Sequence, residues 1–169
     1  MADFAETFSA LADRGIGLRA ITPDDLGFLY QVYASTRADE LAPLDWNDEQ
    51  KAAFLAMQFK AQHTYYQEQF PRASFDMIML DGEPIGRLYL ERREDEIRII
   101  DIALLSAYRN RGIGSAFLEA VIAEAARIAL PIRIHVEQFN PALRLYTKLG
   151  FRIVGETGVY FLMEYLRET

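Results

Sequence analysis

The sequence contains no cysteine. Disulfide frameworks, thiolate zinc sites and a cysteine nucleophile are excluded with it, and the chain suits a reducing compartment. Nowhere do about 18 apolar residues run together, and Met-Ala-Asp-Phe-Ala-Glu at the start offers no basic region followed by an apolar run. Neither a membrane span nor a secretion signal is expected, and the cytoplasm is the expected location. Positive charge is in short supply: 18 Lys+Arg stand against 25 Asp+Glu, a formal charge of −7. Most of such a surface repels phosphate backbones and anionic lipid, so neither nucleic acid nor membrane is an expected partner. What is there is ordinary globular material. With 169 residues, 51% of them hydrophobic, the chain reads as a single domain over 1–169. A chain of this length buries roughly 70% of its unfolded surface and needs no metal to hold its core.

Periodicity and punctuation give the elements. Residues 16–21 form a short first strand, and Thr22-Pro23-Asp24-Asp25 starts a helix running to about Thr36, with a hydroxyl cap, an early proline and acids beside the positive dipole end. Asn47 followed by Gln50 opens a second, aromatic helix that ends before Pro71. SFDMIML and PIGRLYLE around Asp81-Gly82 read as a β-hairpin. After a charged turn at 91–96, EIRIIDIALL is too apolar to be wet on one face and belongs at the centre of a sheet. Residues 114–129 put Phe117, Leu118, Val121, Ile122, Ala125 and Ile128 on one helical stripe, which Pro131 ends. The strand at 132–136, reached through that helical crossover, must lie parallel to the one at 96–105. Asn140-Pro141 caps a short helix closed by Gly150, and two strands finish the chain. The expected fold class is α/β (α+β): a mixed, mostly antiparallel sheet of about seven strands with one parallel central pair and helices on both faces.

LLSAYRNRGIGSAFL places Arg109, Arg111, Gly112 and Gly114 between a buried strand and the opening of an amphipathic helix. Helix starts leave N–H groups unpaired at a positive dipole end, and glycine lets a phosphate approach them. The two arginines add a local positive site to an acidic protein; the plainer alternative is a glycine-rich turn with solvated arginines. No Gly-Lys-Ser/Thr is present, which excludes a Walker A loop. A dinucleotide fingerprint fails at Phe117, where its third glycine should be, and too little chain follows Glu137 for a doubly wound half.

RNRGIG resembles the Arg/Gln-x-x-Gly-x-Gly/Ala signature of the GNAT superfamily of acyl-coenzyme A-dependent N-acyltransferases, with Arg109, Gly112 and Gly114 on the diagnostic positions. VEQFNPALRLYTKLGF resembles the second motif of that superfamily, and the element order follows it from Ile16 to Leu166. The resemblance implies acetyl-coenzyme A as cosubstrate, no metal, and a pyrophosphate on the amides of Arg109, Asn110, Arg111, Gly112, Ile113, Gly114 and Ser115. It implies a pantetheine arm beside Ile102, Ala103 and Leu104, paired like an added strand. Asn140 falls on the family's pantetheine-contacting position and Tyr146 on its thiol-facing one. Ser106 departs from the family, which often has proline there. The implied acceptor is an amine, carried by a small molecule or a protein, and the resemblance admits a homodimer.

Acyl transfer to an amine needs a neutral amine, oxyanion stabilisation and a proton for the departing thiolate. Tyr146, protonated at neutral pH, suits the last role, although it also sits on an apolar stripe with Ala142, Leu145 and Leu149 and reads as core. Asn140 serves as an N-cap in either case. For the base, Asp101 on the central strand, His135 on its parallel neighbour, and a held water all remain open. Asp101 alternates with Ile100 and Ile102 and should face away from both. Tyr33, Arg37, Glu40, Trp46, Gln62, Tyr65, Tyr66 and Glu68, on the first two helices, border the acceptor in such folds. Two function classes follow: an N-acetyltransferase working by direct transfer in a ternary complex, or a non-catalytic acyl-coenzyme A-binding regulatory module.

Overall fold

The computed structural model describes residues 4–167. Seven strands form one sheet in the order β1-β2-β3-β4-β5-β7-β6. They are β1 (Ile16–Ala20), β2 (Ser74–Leu80), β3 (Glu83–Arg92), β4 (Ile97–Leu104), β5 (Ile132–Glu137), β6 (Arg152–Thr157) and β7 (Tyr160–Tyr165). All neighbours are antiparallel except β4 and β5, and β4 is the central strand, as its apolar run requires. Four α-helices, α1 (Leu26–Leu41), α2 (Asp48–Gln69), α3 (Ile113–Ile128) and α4 (Leu143–Leu149), complete the fold.

The helices divide between the two faces. Phe117, Leu118, Val121 and Ala125 of α3, with Tyr146 of α4, pack on Ile78, Leu88, Leu90, Ile97 and Ile99. On the other face Leu29 and Tyr33 of α1 and Leu55 and Phe59 of α2 surround Met77. Met77 and Ile78 are adjacent in β2 and point to opposite cores, as the pleat dictates.

The caps form where the side chains allow them. Asn47 Oδ1 accepts the Gln50 N–H at 2.8 Å, while Gln50 Oε1 accepts the Asn47 N–H at 2.9 Å. Pro23–Asp25 is a single 3-10 turn feeding α1, and that helix continues five residues past Thr36 to Leu41. No breaker occurs before Pro43, Arg37 and Glu40 pair along the helix, and Leu41 is buried. The expected stop at Thr36 is therefore too early.

The charged turn at 91–96 exposes Glu94 and Asp95, while its other four charged residues are ion-paired. Arg93 binds Glu91 at 2.5 Å, and the buried Glu96 lies within reach of three guanidinium groups, Arg93 at 3.3 Å, Arg98 at 3.2 Å and Arg133 at 3.8 Å. Arg92, at the end of β3, binds Glu124 of α3 at 2.6 Å, and that carboxylate is 0% exposed. β6, at the sheet edge, carries a bulge at Val154.

Asp25 ties the chain at the entry to α1. Its carboxylate accepts from both Arg19 terminal nitrogens, at 3.0 and 2.9 Å, and from the Thr22 N–H at 2.7 Å. These bonds hold its pKa down at about 2. A depressed carboxyl contributes stability that is complete above its unfolded pKa near 4 and is lost as pH falls through the folded value. Asp25→Ala should lower the melting temperature by roughly 2–4 °C at pH 7. In melts recorded across acid pH the deficit should shrink between pH ~4 and ~2.

Candidate functional site

β4 and β5 pair through Ile97↔Ile132, Arg98↔Arg133 and Ile99↔Ile134, then separate. Against β3 the register passes from Leu90↔Ile99 to Tyr89↔Asp101, so Ile100 is an extra residue, a bulge where the strands part. With this extra residue Ile99 and Ile102 both pack into the α3 core although three positions apart. Asp101, paired beside Tyr89, points to the α2 face. Beyond Ile99, among the described residues, no strand pairs with β4 on the β5 side, and Ile102, Ala103 and Leu104 line an open V. A free strand edge of this kind can accept an extended ligand.

At the open end of the V the chain turns into α3. Ser106–Tyr108 is a 3-10 turn, and the Arg109 N–H donates to the Ser106 carbonyl at 3.3 Å. Asn110 and Gly112 then adopt positive φ, +61° and +79°, and α3 begins at Ile113. Gly112 supplies a left-handed conformation that a β-branched residue would resist. Among the described residues the amides of Asn110, Arg111, Gly112, Ile113, Gly114 and Ser115 donate to no protein acceptor, while the Ala116 N–H bonds Gly112. A Cβ at Gly114 would meet nothing within 4 Å, and its φ is an ordinary one. Packing does not require glycine there; it leaves the amide surface bare. These six donors at a helix start fit a diphosphate.

The arginines behave differently from a loose positive site. Arg109 turns inward, its Nε donating to the Leu104 carbonyl at 3.0 Å and Nη2 to Ser35 Oγ of α1 at 3.1 Å. Arg111 is exposed and lies over the Tyr108 ring at 5.5 Å. The Arg109 amide, which the resemblance counts among the pyrophosphate donors, is already used within the turn.

Asn140 and Tyr146 stand on the other arm of the V. Asn140 Oδ1 accepts the Ala142 N–H at 2.9 Å in a turn just ahead of α4, so the expected N-cap role shifts: the cap position of that helix is Ala142, which has no side-chain cap bond, and Gly150, at φ +106°, ends the helix. Tyr146 is 4% exposed and meets Phe151 edge-on at 5.5 Å. Burial, and then the negative charge of Asp101, push its hydroxyl well above the usual tyrosine range. The same two influences act on Tyr66 of α2. Asp101 thus lies in electrostatic reach of both rings, and the buried Arg87 of β3 binds it directly.

Between α1, α2 and β7 lies an open slot of about 430 Å³ lined by Tyr33, Arg37, Glu40, Gln58, Ala61, Gln62, Tyr65, Tyr66 and Tyr160. Of the helix residues named from sequence, Trp46 and Glu68 are not among the lining; Trp46 packs on Phe54 at 5.2 Å. Gln58, Tyr160 and Arg87 escaped the sequence reading, and Glu137, weighed there only for a dinucleotide fingerprint, is the partner of Arg37. Arg37 holds Glu137 with both terminal nitrogens, at 3.0 and 2.8 Å. An arginine interrupting the apolar β3 run was the one available signal. His135 is exposed, with Nδ1 2.9 Å from Arg98 Nη1. Burial and Arg98 push its pKa down. A neutral imidazole that accepts from Arg98 at Nδ1 carries its hydrogen on Nε2 and presents a donor. No group of His, Asp and Glu able to hold a metal occurs among the described residues, and no described helix is long and apolar enough to cross a membrane.

The profile of the acetyltransferase (GNAT) family matches residues 37–151. An N-alpha-acetyltransferase of Sulfurisphaera tokodaii is 29% identical over 107 residues, 53% of this chain and 62% of that protein, so the match spans less than two thirds of the relative. The PaiA N-acetyltransferase of Thermoplasma acidophilum, solved with coenzyme A, superposes with a TM-score of 0.67 at 18% identity over 90% of this chain and 99% of that one. An Arabidopsis thaliana protein solved with the bisubstrate analogue CoA-Ac-MVNAL gives a TM-score of 0.52 at 19% identity, covering 89% of this chain and 98% of that one.

The inward turn of Arg109 generates a stability prediction. Arg109→Ala removes two half-buried hydrogen bonds and should cost roughly 2 kcal/mol without any ligand present. Denaturant unfolding of the ligand-free protein reads this directly; an unchanged midpoint would mean that the side chain reaches outward instead.

Proposed function

The chain belongs to the acetyltransferase (GNAT) family, and from that premise we propose that it transfers an acetyl group from acetyl-coenzyme A to a primary amine by direct attack, with both substrates bound together. The observation that carries this reading is an unpaired amide turn at the end of an open strand edge, with the slot between α1, α2 and β7 joined to that strand through the Gln62–Arg87–Asp101 hydrogen bonds. Asn110 to Ser115 would hold the pyrophosphate, with Ile102, Ala103, Leu104 and Asn140 beside the pantetheine. Acetyl-coenzyme A supplies the acetyl group already activated as a thioester.

The chain's own residues orient the amine and manage two protons. An ammonium acceptor first loses one proton to a water relay; as the neutral nitrogen bonds the acetyl carbon and the carbon–sulfur bond breaks, the second amine proton passes to the same relay, while the Tyr146 hydroxyl protonates the departing sulfur and is reprotonated from the relay. We assign proton uptake to water rather than to His135, whose free lone pair is engaged by Arg98. The raised pKa of Tyr146 keeps the hydroxyl a donor throughout the neutral range. Its deprotonation should therefore produce no alkaline loss of turnover below pH ~10.

A peptide α-amine is the favoured acceptor class, supported by the name of the curated relative and by the open mouth of the slot. The same reading takes residues 1–169 as one acetyltransferase domain acting in the cytoplasm, without a metal, alone or as a homodimer.

A screen for free thiol release from acetyl-coenzyme A, using amines that include a pentapeptide with a free α-amine and 1,4-diaminobutane, tests the activity. Saturable coenzyme A binding without amine-dependent release would favour the regulatory module. Gly114→Ala should keep or raise the melting temperature, since alanine favours a helix by about 0.5–1 kcal/mol. It should also weaken coenzyme A binding by tenfold or more, the scale of one charge-assisted hydrogen bond. Normal affinity would move the pyrophosphate off this turn. Tyr146→Phe should leave coenzyme A affinity unchanged and lower turnover by ~10²–10⁴. Full activity with reduced stability would make the tyrosine a packing residue.

A further inference from the structure

From Ile85 to Leu90, β3 is apolar except at Arg87, a side chain only 3% exposed. Its Nη2 donates to Asp101 Oδ2 and, at 2.9 Å, to Gln62 Oε1, and the guanidinium lies over the Tyr89 ring at 5.1 Å. Its Nε is buried without a partner. Well-packed apolar residues commonly stabilise a fold at least as well as a buried ion pair, so stability alone explains Arg87 poorly.

Asp101 is the more accessible member of this pair, being 20% exposed where Arg87 is sealed. Arg87 engages Oδ2, and Oδ1 accepts from no described residue. Gln62, the second group held by Arg87, lines the acceptor slot, and the Asp101 charge is felt by Tyr66 in that slot and by Tyr146 at the V. Asp101 is not itself a lining residue of the slot; it stands behind it, where the Gln62 wall is joined through Arg87 to β4, the strand that edges the V, and Oδ1 is left without a protein donor at that junction. The alternatives are less suited: Glu137 is bound by both terminal nitrogens of Arg37, and Glu40 stands at the exposed rim.

An amine reaches the slot at neutral pH largely as an ammonium ion. A fixed carboxylate with a free oxygen can receive it in a charge-assisted hydrogen bond. The buried Arg87 has no other carboxylate partner among the described residues, so Asp101 is already committed to a cation on its Oδ2 side. We propose that Arg87 is a positioning residue that holds Asp101 at the junction, so that Asp101 binds the incoming ammonium and does not take its proton. The inference rests on the acetyl-transfer reading of this site and supplies the residue that receives the acceptor.

The test separates KM from kcat in thiol release with the pentapeptide and with 1,4-diaminobutane. Asp101→Asn should raise the KM for amine by tenfold or more with kcat little changed and the coenzyme A-induced melting shift intact. Arg87→Met should give the same KM rise, and Arg87→Lys should recover most of it. Should Arg87→Met fail to fold, the double variant Arg87→Met with Asp101→Asn strands no charge and should show the Asp101→Asn kinetics. A fall in kcat of ~10²–10⁴ with unchanged KM in Asp101→Asn would make Asp101 the base and overturn the proposal. An unchanged KM in Arg87→Met, with only a lower melting temperature, would reduce Arg87 to a structural residue. Calorimetric binding of the same amines to coenzyme A-loaded wild type and Asp101→Asn reads the anchor without turnover. Weaker binding by the variant supports the anchor even if no thiol is released, a result that rejects only the acetyl-transfer reading, whereas equal binding rejects the anchor itself.

Discussion

The parting of β4 and β5 after Ile99 and Ile134 is the constraint on which the rest of the site depends. Parallel strands cannot be joined by a hairpin, so a crossover is obligatory, and here α3 provides it. A crossover helix starts at the carboxyl end of the strand it leaves. The unpaired amides from Asn110 to Ser115 are therefore delivered to the end where the V opens. Had the two strands stayed paired to Leu104, the same turn would stand beside a closed sheet, with no edge for an extended ligand to follow.

Charge is handled by placement in preference to quantity. A chain of formal charge −7 offers an anion six neutral N–H groups, and the inward Arg109 serves to fix the turn to β4 and α1. Oriented amides attract phosphate locally without raising the potential of the whole surface. Ions are also buried in pairs: Arg92 with Glu124 behind α3, and Arg87 with Asp101 at the site. Each pair offsets a desolvation cost that either partner alone would leave uncompensated.

Local chemistry made much of the fold legible. The Asp81-Gly82 hairpin, the Asn47–Gln50 box, the Gly150 stop and the α3 stripe are each encoded within a few residues, and each is found. The parallel pairing followed from the length of the crossover. What escaped depends on residues distant in sequence. The bulge at Ile100 leaves no mark in an apolar run, although Asp101 does face away from Ile102, as alternation implied. Arg109 looks cationic in the sequence and acts as a strut because Leu104 and Ser35 are waiting for it. Tyr160 and Gln58 line the slot only because β7 and α2 converge there, while Trp46 finds Phe54 instead.

Glu96 sits at the closed end of the V, joined to Arg93 beyond β3, Arg98 on β4 and Arg133 on β5. A single carboxylate thereby pins three successive strands where the two arms meet, much as a rivet fixes a pair of calipers. The closed end of the V is thus held by contacts within the chain alone. Ordering of the cleft need not be repeated at each encounter, and the entropy lost on association falls mainly on the entering molecule.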